Sequence, residues 1–221
     1  MPMPEPVIYL VDDDAAILAA MTRLLQAEGL AVCAFTCARA FLCAHDAEAP
    51  GCAVIDMGMP GLDGPALQRA LDDDGAGRAV VFVAPHADVE QGVCAMKAGA
   101  VDFLTMPFDD ARFIDAVRRA LARDAHERAV YGELQRIRGR LGRLTRREHQ
   151  VLRHVVAGRL NKQIAFDLGI AEKTIKVHRA RAMEKMGATS LAQLVREMLE
   201  VDAGAVFVDD AARPDAKSLV Q

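Results

Sequence analysis

The residues of this chain best placed to do chemistry are carboxylates at the ends of two apolar runs. Asp12, Asp13 and Asp14 follow Val7-Ile8-Tyr9-Leu10-Val11, and Asp56 ends Cys52-Ala53-Val54-Ile55, ahead of Met57-Gly58-Met59-Pro60. Short continuous apolar runs read as parallel strands buried on both faces, and ligands of such sheets collect at the carboxyl ends of the strands. Both runs therefore deliver acids to one edge of one sheet. Three or four carboxyl groups crowded there repel one another unless a hard cation such as Mg²⁺ sits among them. Helix capping is the plain alternative for Asp13 or Asp14, and it suits Asp14 best, one residue too far along to share the site. It does not account for Asp56.

The elements that must position these acids can be read from periodicity. Ile17, Leu18, Met21, Leu24 and Leu25 recur at helical spacing up to Gly29, which can stop a helix. A strand over 31–34, a helix around Ala40-Phe41-Leu42 and the strand ending at Asp56 follow. Gly61-Leu62-Asp63-Gly64-Pro65 reads as a turn with Pro65 early in a helix, where its missing N–H costs nothing. The loop Asp72-Asp73-Asp74-Gly75 precedes a strand over 79–83. Asp88 to Ala98 predicts a helix closed by Gly99, and 101–104 a fifth strand. This alternation predicts an α/β fold with a doubly wound, five-stranded parallel sheet.

From Asp109 the pattern turns helical, and Phe113, Ile114, Val117 and Leu121 can cover the sheet. Over 123–143 only Val130, Leu134, Ile137 and Leu141 form an apolar stripe, suited to a solvated linker helix with weak pairing capacity or to a helix-helix seam. Thr145 with Glu148 makes a capping box, and Val151, Leu152, Val155 and Val156 face inward. Asn161 can cap a short helix over 162–168, ended by Gly169. A helix over 172–186, stopped by Gly187, and another over 190–200 complete an all-α, four-helix segment in helix-turn-helix order. The expected organisation is 1–122, a helical linker over 123–143, 144–200, and a mobile tail over 201–221.

Charge divides the chain in the same places. Residues 1–108 carry a net −10, 109–143 +3, 144–200 +5 and 201–221 −2. An acidic half joined to a basic half suggests a sensor or carrier module attached to something that meets an anion, most often nucleic acid. No apolar run approaches the roughly 18 residues of a membrane helix, and no signal core follows a basic segment, so a cytoplasmic protein is expected. The five cysteines are odd in number and lack a Cys-x-x-Cys pair. They predict free, mostly buried thiols rather than disulfides or a zinc site.

On these residues the first half resembles the receiver domain of two-component response regulators, of flavodoxin-like fold. The second half resembles the LuxR-type DNA-binding domain, and together they look like the FixJ/NarL group of transcriptional regulators. The second resemblance rests on Leu144-Thr145-x-Arg147-Glu148, Val156-Ala157-Gly158, Asn161-Lys162-Gln163-Ile164-Ala165, Leu168-Gly169-Ile170 and Lys173-Thr174-Ile175-Lys176-Val177-His178-Arg179. The receiver resemblance implies that Asp56 accepts a phosphoryl group from a sensor histidine kinase. It also implies that Asp12, Asp13 and Asp56, with the Gly58 carbonyl, hold Mg²⁺, that Phe103 is the aromatic that moves with the switch, and that the bond before Pro107 is cis. The LuxR-type resemblance implies that the long helix enters the major groove of double-stranded DNA. Lys173, Lys176, Val177, Ala180 and Arg181 share its outward side, with Thr174, Asn161, Lys162 and His178 anchoring the backbone. Leu191, Leu194 and Val195 would belong to a homodimer surface, or equally to the core.

Two receiver positions depart from the pattern. Where the family ends its fourth strand with Ser or Thr, this chain has Ala84; where it places a lysine before proline, it has Met106. The hydroxyl that reads a phosphate and the cation that balances it are both missing, so phosphorylation control is expected to be weak or non-standard. Thr105, one residue before Met106, could face the pocket in place of the hydroxyl missing at Ala84, and His86 could replace the missing lysine. Strand neighbours point to opposite faces, however, which argues against either rescue. In the second half, Leu160 and Ala171 stand where the family often has small polar residues. A conventional phosphorylation-activated regulator using Asp56 and Mg²⁺ is the alternative. An aspartyl-phosphate phosphatase is a remote one, since Ala16 and Met106 stand where such an enzyme needs threonine and lysine. An adaptor that has lost DNA binding does not fit the basic helix.

Overall fold

The computed structural model describes residues 5–60, 64–73, 77–86 and 89–211. The expectations placed on 61–63, 74–76, Asp88 and 212–221 lie outside the described residues. The chain divides into two compact units, Met1–Ala129 and Val130–Gln221.

The first unit is a parallel sheet in the order β2-β1-β3-β4-β5. Its strands are β1 (Val7–Val11), β2 (Ala31–Phe35), β3 (Gly51–Asp56), β4 (Ala79–Ala84) and β5 (Asp102–Thr105), alternating with α1 (Ala15–Ala27), α2 (Ala38–Ala44), α3 (Gly64–Asp73) and α4 (Val89–Lys97). β3 and β4 are buried along their whole length, as strands covered on both faces must be. Their alternate residues feed two cores. Ile8, Leu10, Val54, Val81, Val83 and Leu104 pack with Leu18, Met21, Leu25, Phe113 and Val117 on one face, and Tyr9, Val11, Ile55 and Phe82 with Phe41, Leu67 and Leu71 on the other. Gly51 is required where β3 starts beside β1: its φ is +146°, and a Cβ there would stand 1.9 Å from the Val7 carbonyl oxygen.

Free thiols are mostly exposed, contrary to expectation: Cys33, Cys37, Cys43 and Cys94 face solvent and only Cys52 is buried. Cys33 lies on the edge strand β2, and Cys37 is the cap of α2, its Sγ accepting the Ala40 N–H at 3.4 Å. Edge and cap positions override the burial tendency of the residue type. Cys52, interior on β3, has its thiol pushed up to about 12 by burial.

The helix α5 runs from Asp110 to Leu141, and neither end of the expected linker is free. In the first unit, Asp124 accepts the Gly51 N–H (2.9 Å), and Arg128 bonds Asp124 and the carbonyls of Ala47, Glu48 and Ala49. In the second unit, Ile137 is fully buried and Leu141 packs against the same core. Only the stretch around Val130 and Tyr131, exposed by 48% and 60%, matches a solvated helix.

The second unit adds α6 (Arg146–Val156), α7 (Asn161–Leu168), α8 (Glu172–Met186) and α9 (Leu191–Ala211). Val151, Leu152, Val155, Ile164, Ile175, Ala182, Met186 and Leu194 form its core. The tail reading is corrected in part, because α9 continues eleven residues past Glu200 to Ala211. No proline falls within 201–211 to interrupt it.

Candidate functional sites

The carboxyl edge of the sheet brings Asp12 and Asp56 together. Asp12 follows β1 and is 2% exposed; Asp56 closes β3 and is 6% exposed. Asp12 Oδ1 accepts the Asp14 N–H at 2.8 Å, while Oδ2 is buried with no hydrogen-bond partner. Burial pushes the Asp12 carboxyl up to about 6, and the charges of Asp56, Asp13 and Asp14 push the same way against the Asp14 amide. Asp56 is also raised, chiefly by burial, although its Oδ2 accepts the Gly58 N–H at 3.0 Å.

The expected crowd of three or four acids is thinner in the fold. Asp14 turns away to cap α1, its Oδ1 accepting from Ala16 and Ile17 at 2.7 and 3.2 Å, and Asp13 is exposed at the rim. Among the described residues no group of three His, Cys, Asp or Glu side chains is gathered for a metal. The donors nevertheless suit a hard divalent cation: they are carboxylate oxygens, one is buried without a partner, and their repulsion is what a cation relieves.

Ala84, the last residue of β4, is 2% exposed. Met106 packs on the α1/α5 side of the sheet, and lines an apolar groove with Ile17, Met21, Leu24, Pro107 and Phe108. The Met106–Pro107 bond is cis. Phe103 is half-buried and packs toward the opposite core, against Gly92 of α4.

In the second unit, Thr145 and Glu148 form the expected box: the Glu148 N–H donates to Thr145 Oγ1 (3.3 Å) and the Thr145 N–H to Glu148 Oε2 (2.8 Å). Lys185 Nζ reaches the same Oε2 at 2.6 Å, and the ammonium, with the Thr145 amide, holds the Glu148 carboxyl down at about 2. Asn161 is not the cap of α7. Leu160 occupies that place without a side-chain bond, its N–H donating to Gln163 Oε1 at 2.8 Å, and Asn161 Oδ1 instead accepts from Arg179 on α8 at 3.2 Å. Ala171 likewise caps α8 with no side-chain bond.

On α8, Ile175, Ala182 and Met186 are buried, while Lys173, Thr174, Lys176, Val177, Ala180 and Arg181 are exposed. The outward side is the one that helical spacing assigns to Lys173, Lys176, Val177, Ala180 and Arg181. His178 is half-buried, with Nδ1 lacking a partner; Lys162 on α7 is exposed. Leu194 belongs to the core, whereas Leu191 and Leu199 face outward. An exposed Phe166, at 89%, was not singled out from the sequence, because a lone aromatic in a helix reads as core.

The arrangement matches known proteins over nearly its whole length. The response regulator receiver domain model matches residues 8–118, and that of the bacterial regulatory proteins of the luxR family residues 143–198. The transcriptional regulatory protein FixJ of Azorhizobium caulinodans is 45% identical over 213 residues, covering 95% of this chain and 99% of that protein. The response regulator protein TodT of Pseudomonas putida is 40% identical, covering 86% of this chain and 84% of its own length. The solved structure of the response regulator StyR superposes with a TM-score of 0.80 at 40% identity, over 89% of this chain and 99% of that one. No helix among the described residues is long and apolar enough to cross a membrane. The chain therefore belongs to the FixJ/NarL group of DNA-binding response regulators, a receiver domain joined to a LuxR-type helix-turn-helix domain.

Proposed function

We propose that this regulator keeps the phosphoacceptor Asp56 but is only weakly commanded by its phosphorylation. The carrying observation is that Ala84 and Met106 stand where a hydroxyl and an ammonium would meet the phosphoryl group, while Asp12 and Asp56 remain. A carboxylate oxygen of Asp56 attacks phosphorus, and the bond to the imidazole nitrogen of a phosphorylated sensor kinase breaks with its electron pair on that nitrogen. Asp12, Asp13 and Asp56, with the Gly58 carbonyl, would hold Mg²⁺, which supplies neutralisation of the phosphoryl oxygens when bound. Missing from this chain are about 1.5–3 kcal/mol for a charge-assisted bond and about 0.5–1.5 for a neutral one, against the roughly 5.5 kcal/mol that throws a switch from off to on.

The second unit binds double-stranded DNA through α8. Lys173, Lys176 and Arg181 reach phosphates or guanine edges, Val177 meets a thymine methyl, and Thr174, Asn161, Lys162 and His178 hold the backbone. Two copies bind together, with Leu191 and Leu199 of α9 left outward for the pairing. The test compares DNA affinity and dimerisation with and without a small phosphodonor and Mg²⁺. A gain of about a hundredfold or more that disappears in Asp56→Ala would overturn weak control.

A further inference from the structure

The register of β4 and β5 sets Thr105 beside Ala84, not only beside Met106. Phe82 pairs with Phe103, Val83 with Leu104, and Ala84 with Thr105. Phe82 and Phe103 lie on one face of the sheet, and Val83 and Leu104 on the other. The next pair, Ala84 and Thr105, therefore returns to the first face. Paired residues of neighbouring strands stand about 5 Å apart, so the Thr105 hydroxyl faces the space that a larger side chain at position 84 would fill. Ala84 offers only a methyl there. Of the two hydroxyls in the five strands, Tyr9 lies in mid-strand and Thr105 is the last residue of its strand, half-buried at the carboxyl edge.

Resting on the reading of Asp56 as phosphoacceptor, we infer that Thr105 supplies the switch hydroxyl of this receiver from the neighbouring strand, hydrogen-bonded to the phosphoryl oxygens through one water seated over Ala84. Asp56 lies two strands away, about 10 Å by inter-strand spacing, which is too far for a dependable direct bond. A bridging water is enthalpically nearly as good. Thr105 is thus a positioning residue, and the coupling it carries is that of one neutral hydrogen bond.

The full-length protein is treated with acetyl phosphate and Mg²⁺. Phosphorylation of Asp56 is followed by intact mass, and the dimer association constant and acyl-phosphate lifetime are measured alongside. Thr105→Val is expected to accept the phosphoryl group as the parent does, while losing about two- to tenfold of the phosphorylation-dependent gain in association, the ratio one neutral hydrogen bond carries. Thr105→Ser keeps the gain, and Ala84→Thr added to Thr105→Val restores it. An unchanged gain in a fully phosphorylated Thr105→Val, an equal loss in Thr105→Val and Thr105→Ser, or a phosphorylated parent with no gain overturns the inference and leaves Asp56 standing as acceptor. Absence of phosphorylation in every variant removes the phosphoacceptor reading and the inference with it.

Discussion

The Met106 N–H donates to the Ala84 carbonyl across 2.8 Å, so the two positions at which the receiver pattern breaks are hydrogen-bonded neighbours at one corner of the sheet. A change that rebuilds both acts on a single site. In a Thr105→Val background, Ala84→Ser with Met106→Lys is expected to raise the phosphodonor-dependent gain in DNA affinity by about 2–4.5 kcal/mol, the sum of one charge-assisted and one neutral bond. Titration of a DNA duplex before and after phosphodonor treatment measures it. No increase in the double variant would show that the coupling was not limited at these positions.

The pocket acids make the receiver sensitive to pH and Mg²⁺. A folded-state pKa raised to about 6 from 3.8 means that Asp12 costs nothing below pH 3.8, and that stability is lost as pH rises through 6. Asp12→Asn keeps an oxygen for the Asp14 amide and is expected to stabilise the metal-free protein by about 2 kcal/mol at pH 7.5. Mg²⁺ should stabilise the parent at that pH and the variant much less. Urea denaturation at pH 4 and 7.5, with and without Mg²⁺, reads both effects.

At low pH the weak point moves to the second unit. The Glu148 carboxyl, held at about 2 against an ordinary 4.5, contributes stability that is present above pH 4.5 and lost as pH falls toward 2. Amide exchange in α6 and α8 should therefore accelerate over that window in the parent. In Glu148→Gln it should already be faster at pH 6 and change less on acidification.

The two sides of α8 should separate cleanly under mutation. Lys176→Ala and Arg181→Ala are each expected to weaken DNA binding and to reduce the slope of log affinity against log salt by about 1, without loss of folding. Ile175→Ala, emptying a fully buried site, should cost about 2–5 kcal/mol of stability. A salt slope unchanged in both exposed variants would remove those side chains from the phosphate contacts.

Two helices begin on residues that cannot cap them. Replacing Leu160 or Ala171 with Ser, each in extended conformation ahead of its helix, should add about 0.5–2 kcal/mol apiece, read as a rise in Tm. The Gln163 bond to the Leu160 N–H already satisfies part of the first site, so Ala171→Ser should give the larger rise.

The strands, their alternation with helices and the outward side of α8 were legible because each rests on local periodicity: β3 and β4 are continuous apolar runs, and Lys173, Lys176, Val177, Ala180 and Arg181 recur at helical spacing. What escaped were facts set between elements. Thr105 was weighed as a replacement for Ala84 by its place before Met106 in sequence, and not by its place across the ladder from Ala84. Asn161 was assigned to the helix it begins, when its oxygen is used by Arg179, 18 residues on. Asp14 was separable from Asp12 because capping is local. The exposure of Cys33 was hidden because which strand forms the sheet edge is not written in that strand.

Asp124 closes the Gly51 amide from 73 residues away. The start of β3 is thus completed by a residue beyond both the boundary expected at 122 and the receiver-family match ending at 118. A receiver fragment cut at either place keeps every strand yet buries an amide without an acceptor. The autonomous folding unit of this half must extend through the turn of α5 that carries Asp124 and Arg128.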